Sequence, residues 1–342
     1  MKIDYKIEKK EGVYVTASIT IPRDAFKTSY EEILKTEANK ADVKGFRKGK
    51  VPKDIVEPEL KQSASIQALD QLTPMYITEI VKQEKLDLIA PPQYLEFPNL
   101  EGEDDLVLKV KFTVFPQVKL GDFKKIKIKK DDTKPKKEEI DNTIKEMFER
   151  STIEDKGEKP DDKWAKKTGE LYKLEGVKDL KTLENQIKSL LEQEKERIVK
   201  QNQEHEVLTK AIELSKIEIP EEAIDFEAKE REKAFLQELK KAELSVDDFC
   251  KSRETDFETL RKSWNRDAKE ALEGEVLLRT YAKEKDVKVS DEDLEKAIED
   301  IKQNQEQEVP KEVENDQSWR DNIRNVIMKQ KAYKDLISQV LG

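Results

Sequence analysis

From Leu180 to the C-terminal end, apolar residues recur at helical spacing with little interruption. That run confines the second half of the chain to packed helices. Leu180, Leu183, Ile187, Leu190, Leu191, Ile198, Leu208, Ala211 and Ile212 form an interrupted stripe, as expected of a helix that buries one face. Ile219-Pro220-Glu221-Glu222 restarts the chain, with proline at a first turn and acids that suit a helix N-terminus. The next helix, to about Ala242, carries Ile224, Ala228, Phe235 and Leu239. Ser245-Val246-Asp247-Asp248-Phe249 reads as a short capped turn, and Phe257, Leu260, Trp264, Ala268, Ala271, Leu272 and Leu278 mark another long helix. Ser290-Asp291-Glu292-Asp293 caps a helix bearing Leu294, Ala297, Ile298 and Ile301. Trp319, Ile323, Val326, Ile327, Ile337, Val340 and Leu341 complete the series. The stripes hold no strict heptad, which predicts packed antiparallel helices rather than a coiled coil. No repeat of fixed period is present.

Composition agrees. Charged residues make up 42% of the 342 and aromatics 6%, which suits long helices with one buried stripe better than a thick globular core. Only 10 glycines are present, too few for the turns of an all-β or Rossmann-type domain. One cysteine, Cys250, rules out an intramolecular disulfide and fits a reducing compartment. The single histidine, His205, sits among Gln203, Glu204 and Glu206 in a helical pattern. Without clustered ligands or a partnered nucleophile it is expected on a helix surface, so no catalytic residue, metal site or cofactor is assigned. Met1-Lys2-Ile3-Asp4-Tyr5-Lys6 has no apolar core of signal-peptide length. No run approaches the ~18–20 apolar residues of a membrane span. A soluble protein without membrane partners is expected, cytoplasmic if bacterial.

The N-terminal part reads differently. Ile3, Tyr5 and Ile7, then Val13, Val15, Ala17, Ile19 and Ile21, alternate as two strands around Glu11-Gly12. Pro22-Arg23-Asp24 opens a helix with Phe26, Tyr30, Ile33 and Leu34 at helical spacing. A short helix near Lys53–Leu60 and a longer one, Ser63–Glu84, are expected, the latter kinked at Thr73-Pro74. Leu88–Phe97, the turn Asn99–Asp105 and the alternating Leu106, Leu108, Val110, Phe112 and Val114 give a second strand pair. Residues 1–116 thus make a compact α+β unit. Residues 117–150 are a basic connector and a first helix. There the strip Lys124, Lys125, Lys127, Lys129, Lys130, Lys134, Lys136 and Lys137 reads as a solvated connector or a second anion-binding surface. Residues 151–178 read as a polar linker in which Trp164, Leu171, Tyr172 and Leu174 mark a short docking element.

Between the first two helices lies Gly45-Phe46-Arg47-Lys48-Gly49-Lys50-Val51-Pro52. Two glycines and a proline shape a tight loop that presents Phe46, Arg47 and Lys48 outward. From Lys40 to Lys53 the basic residues are Lys40, Lys44, Arg47, Lys48, Lys50 and Lys53 against the single acid Asp42, in a chain of net charge -10. Such a reversal of sign points to an anionic partner, although the glycines and proline could equally shape a simple turn between helices.

The octapeptide fits the Gly-Phe-Arg-x-Gly-x-x-Pro signature of trigger factors, the bacterial ribosome-associated chaperones. The restart Lys216-Ile217-Glu218-Ile219-Pro220, followed by long amphipathic helices, also resembles that family. The resemblance covers residues 1–150 and roughly 161–342. It implies a multidomain α+β fold: a small α+β ribosome-binding domain (1–116), then an elongated all-α helical chaperone domain with arms (179–342). It further implies docking beside the exit tunnel of the large ribosomal subunit, against rRNA and a ribosomal protein, through Gly45, Phe46, Arg47, Lys48, Gly49, Lys50, Val51 and Pro52. Unfolded nascent polypeptides are the implied clients, with no client-contact residue readable, and a weak homodimer is compatible.

The chain departs from the family in one respect. Members usually insert a prolyl isomerase domain, on the order of a hundred residues, where this chain has only Ser151–Lys178. That stretch lacks the strands and aromatics of an isomerase pocket, so the isomerase is expected to be absent and the chain not an enzyme. No Walker-type phosphate loop appears either, which predicts an ATP-independent holdase. The competing readings are a divergent peptidyl-prolyl isomerase and an RNA-binding protein. The missing domain weighs against the first, the net charge of -10 against the second. A secreted helical chaperone is disfavoured by the lack of a signal peptide.

Overall fold

Strict alternation of large apolar residues in two segments places them side by side at the centre of a sheet. The computed structural model describes residues 3–40, 52–129, 131–153, 157–304 and 310–342. Strands β1 (Asp4–Glu11) and β2 (Tyr14–Ile21) form a hairpin whose turn holds Gly12 at φ +56°, a backbone angle that favours glycine. With β3 (Leu88–Glu96) and β4 (Leu106–Val114) they make an antiparallel sheet of order β1-β2-β4-β3. Val15, Ala17, Ile19 and Ile21 of β2 stand opposite Phe112, Val110, Leu108 and Leu106 of β4. All eight are buried on one face against Phe26 of helix α1 (Arg23–Lys40) and Ala68, Leu69, Tyr76 and Ile80 of α2 (Lys53–Gln83). Both edge strands carry register shifts, which blunt an exposed edge against pairing with other chains.

One expectation needs correction. Residues 53–83 form a single helix that contains both Pro58 and Pro74, rather than two helices. Proline removes one intrahelical bond and crowds the preceding turn. The stripe of Ala64, Ala68, Leu69, Tyr76 and Ile80 keeps the axis on the core.

The chain falls into two compact units, neither of them continuous: Met1–Lys119 with Ile217–Val276, and Leu120–Lys216 with Leu277–Gly342. In the first, the chain returns as α6 (Glu221–Lys241), α7 (Val246–Ser252) and the first part of α8 (Phe257–Glu284). Glu222, in the first turn of α6, accepts hydrogen bonds from Lys111 Nζ at 2.6 Å and Tyr14 Oη at 3.1 Å. Because side chains alternate across a strand, Tyr14 and Lys111 lie on the sheet face opposite Val15 and Val110. Helix α6 therefore meets the face that α1 and α2 leave free.

The second unit includes two small cores. Ile144 and Phe148 of α3 (Lys137–Glu149), Trp164 and Ala165 of α4 (Asp162–Leu171), and Leu183 and Ile187 of α5 (Leu180–Ser215) form one. Trp164 is the docking residue of the expected linker element, buried edge-on against Phe148 at 5.1 Å, whereas Leu171 and Tyr172 are exposed. Gly169 is required there, since a Cβ would lie 2.6 Å from that of Val177. The other core joins Leu294 and Ile298 of α9 (Asp291–Asn304) to Ile323 and Ile327 of α11 (Gln317–Leu341), after the short α10 (Lys311–Glu314). Ser290 caps α9 as the sequence predicts: its Oγ accepts from Asp293 N, and its own N–H donates to the Asp293 carboxylate at 2.9 Å. Among the described residues no helix is long and apolar enough to cross a membrane.

The Glu222 contact can be tested by titration. The hydrogen bond from Lys111, then one from the residue's own backbone N–H, holds the Glu222 carboxyl below its ordinary range despite partial burial. A depressed carboxylate stabilises the fold above its unfolded pKa, and that contribution fades as pH falls through the folded value. Glu222→Gln should cost about 1–2 kcal/mol in urea unfolding at neutral pH. The gap between the two proteins should close as the solution is acidified below the carboxylate range; a constant gap would contradict the assignment.

Candidate functional site

The octapeptide is carried on a helical hairpin. Helices α1 and α2 pack against each other, with Leu34 fully buried and the small residues Ala64 and Ala68 allowing close approach. Tyr30 Oη donates to Glu57 Oε1 at 3.1 Å and Ser29 Oγ to Gln71 Oε1 at 3.3 Å, tying the two helices together. Helix α1 ends at Lys40, whose ammonium meets Glu37 at 2.8 Å. Helix α2 starts behind Pro52, which sits at the N-cap with φ -59° and ψ 140° and accepts from Ile55 N at 3.1 Å. The missing N–H of proline costs little at a helix start. Of the expected contact residues, Pro52 is thus placed and exposed. Gly45, Phe46, Arg47, Lys48, Gly49, Lys50 and Val51 lie outside the described residues.

A second feature escaped the sequence reading. Helices α6 and α8 flank an open groove of about 670 Å³. Its floor is Ala228, Leu236 and Trp264, and Leu236 is 39% exposed. Phe235, which packs on Phe249 at 5.0 Å and on Trp264 at 5.2 Å, joins α6, α7 and α8. Arg261 grips Glu232 in a two-pronged pair at 2.9 and 2.7 Å and lies over the Phe257 ring. The signal for this groove was in the sequence: Asp225, Lys229, Leu236 and Lys240 recur at spacings that return to one helix face. What the sequence could not supply was the neighbouring helix.

The basic strip after residue 123 runs along α5 with its described lysines exposed. Phe123 and Ile126 are buried while Lys124, Lys125 and Lys127 are exposed. The carbonyls of Lys127 and Lys129 accept from Lys210 and Gln203 of α5, so the strip is laid along that helix. His205 is exposed on α5. Among the described residues no group of His, Cys, Asp and Glu could hold a metal ion.

With this geometry in hand, comparison with known proteins is informative. A sequence model of bacterial trigger factor protein matches residues 3–147, and a model of the trigger factor C-terminus matches residues 179–338. Residues 148–178 fall between the two. The trigger factor of Actinobacillus succinogenes is 37% identical over 138 residues, 40% of this chain and 32% of its own length. That of Bacillus subtilis is 32% identical over 146 residues, 42% of this chain and 34% of its own length. These matches therefore span about a third of either relative. A trigger factor of Staphylococcus epidermidis is 25% identical over 380 aligned positions that take in 85% of this chain and 88% of the relative. A solved structure of the trigger factor chaperone aligns over 99% of this chain and 100% of its own, with TM-score 0.54 and 17% identity. At that identity the likeness is one of fold.

The clamp under the octapeptide has its own signature. Burial, then the hydrogen bond to Glu57, pushes the Tyr30 phenol up to about 12. A raised phenol stabilises the fold below the ordinary tyrosine pKa, and that contribution is lost as pH climbs through the folded value. Tyr30→Phe should lower stability by about 1 kcal/mol near neutrality, measured by urea unfolding, and should flatten the loss of stability between pH 10 and 12. Equal alkaline profiles for the two proteins would show that the clamp is not formed.

Proposed function

The chain belongs to the bacterial trigger factor family, and on that premise we propose that it is a cytoplasmic chaperone that holds newly synthesised polypeptides at the ribosome. It docks beside the exit tunnel of the large subunit through Phe46, Arg47 and Lys48. The observation that carries this reading is the basic octapeptide Gly45–Pro52 between α1 and α2, two helices tied together by the Tyr30–Glu57 hydrogen bond, on a chain of net charge -10. Arg47 can bridge a phosphate or carboxylate through two parallel hydrogen bonds, Lys48 adds a point charge, and Phe46 offers a stacking or apolar anchor. Gly45, Gly49, Lys50, Val51 and Pro52 shape the loop and extend its basic surface.

Holding needs no nucleotide. The sequence has no glycine-rich phosphate loop, and grip can come from many shallow apolar contacts. Leu190 and Ile198 on α5, Val326 on α11, and Phe226 and Leu236 on α6 stand singly exposed among charges. Each client side chain buried against such a position gains at most about 1.5–3 kcal/mol, so release remains fast.

The chain performs this task without an isomerase. Only residues 150–161 lie between α3 and α4 in the sequence, and a hydrogen bond from Trp164 Nε1 to Ser151 Oγ at 3.2 Å links the described residues on either side. The alignment with the Staphylococcus epidermidis protein, at 380 positions, is longer than this chain of 342 residues, so that relative has residues without counterpart here.

Two experiments test the proposal. Replacing Phe46, Arg47 and Lys48 together by alanine should abolish co-sedimentation with ribosomes while the circular dichroism spectrum stays unchanged, and added salt should weaken binding of the intact chain as counterions compete for phosphate. Undiminished co-sedimentation of the triple variant would sink the docking role. The intact chain should also suppress aggregation of a chemically denatured protein without speeding cis–trans exchange in a proline peptide. Appreciable isomerase activity would refute the reading of residues 151–178.

A further inference from the structure

We propose that the groove between α6 and α8 selects client segments in which a large apolar side chain is flanked by aspartate or glutamate. The inference rests on the chaperone reading above and names the client chemistry of one of its contact surfaces. On the floor, the exposed Leu236 and the half-buried Trp264 offer apolar area beside the buried Ala228. Around it the charges are unbalanced: Lys229, Lys233, Lys240 and Arg261 face only Asp225 and Glu232. On a chain whose net charge is -10, the general field draws in basic segments, and this groove opposes it locally.

Pairing sharpens the imbalance. Arg261 and Glu232 satisfy each other through two hydrogen bonds, and Lys233 meets Glu230 at 3.4 Å. Lys229 and Lys240 form no ion pair among the described residues, and they bracket Leu236 along one face of α6. Asp225 lies one turn before Lys229 and beyond that bracket. Lys229 and Lys240 are separated by three helical turns, about 16 Å, which an extended chain covers in about five residues. Side chains at every second residue share one face of an extended chain, so acids four residues apart with a leucine or phenylalanine midway, the flexible lysine stems closing the remaining distance, can place a carboxylate at each lysine and the apolar group on Trp264 and Leu236. The Gln237 amide, also lining the groove, is available to the client's backbone. A basic client of the same shape would set its charges against Lys229 and Lys240.

The test uses the full chain and short synthetic peptides with identical labels and identical apolar positions. One carries glutamate at the flanking sites, one lysine and one glutamine. Fluorescence anisotropy at low salt should rank glutamate over glutamine over lysine, with about a tenfold span between the extremes, the scale of two exposed charge contacts. The double variant Lys229→Glu, Lys240→Glu should reverse the order while keeping its thermal unfolding midpoint, and raised salt should compress the span. Equal affinities for the three peptides, or an order unchanged in the double variant, would overturn the selectivity. If aggregation suppression persists in that case, the chaperone reading survives. Conversely, correct ranking of the peptides by a chain that fails to suppress aggregation would remove the chaperone reading and leave the groove's selectivity in place. Full displacement of the glutamate peptide by an equal concentration of short single-stranded RNA would overturn the proposal in favour of a phosphate-binding groove.

Discussion

Glu222 joins parts of the first unit that are far apart in sequence. Its carboxylate reaches Lys111 and Tyr14 across separations of 111 and 208 residues. Closing a loop that long costs configurational entropy that grows only slowly with its length, so one half-buried charged cluster with some apolar packing can hold it. Lys111 also lies over the Tyr14 ring at 4.8 Å, which makes the three groups a single unit. The position of α6 against the sheet follows from this cluster. The α6–α8 groove follows in turn, because Glu232 on α6 is what Arg261 of α8 grips.

The same chemistry recurs through the chain. Five of its eight tyrosines donate to a carboxylate: Tyr5 to Glu84, Tyr14 to Glu222, Tyr30 to Glu57, Tyr281 to Asp335 and Tyr333 to Glu204. With aromatics at 6% and charges at 42%, apolar side chains are thinly spread beyond the core under the sheet. A tyrosine buries a ring and still offers a polar tip to an acid. The charge-assisted hydrogen bond is strong, and unlike an ion pair it desolvates only one charge. Burial and the Asp335 carboxylate push the Tyr281 phenol far above its usual range, and burial with Glu204 carries Tyr333 to about 12. These contacts hold from the carboxylate range up to strongly alkaline pH, the breadth a highly charged surface needs.

Much of this was legible in the residues, and the failures have physical causes. Strands β2 and β4 follow from strict alternation, and the helix starts at Ser245 and Ser290 from capping chemistry that acts within three residues. The expected break between Leu60 and Ser63 is absent because burial of the α2 stripe on the sheet carries one helix through the polar Lys61-Gln62 pair. The return of residues 217–276 to the sheet could not be read from periodicity, since Glu222 looks like any first-turn acid until Lys111 stands opposite it. The docking-loop reading rested on residue types together with the helices on either side, and of the octapeptide only Pro52 lies among the described residues, where it marks the start of α2. The groove was half visible, one face in the pattern of α6 and the other supplied by the fold.

A net charge of -10 on the whole chain decides how such surfaces can work. An acidic protein repels nucleic acid and acidic polypeptides over most of its surface, so an anionic partner is accepted only where the sign reverses. The segment Lys40–Lys53 and the α6–α8 groove are two such places. Repulsion elsewhere suppresses nonspecific attachment, and attraction at each site fades beyond a Debye length of about 8 Å at physiological ionic strength. Contacts of that range form only after close approach and let go readily. The ribosome docking and client release proposed above call for a surface of this kind, mostly repulsive and locally adhesive.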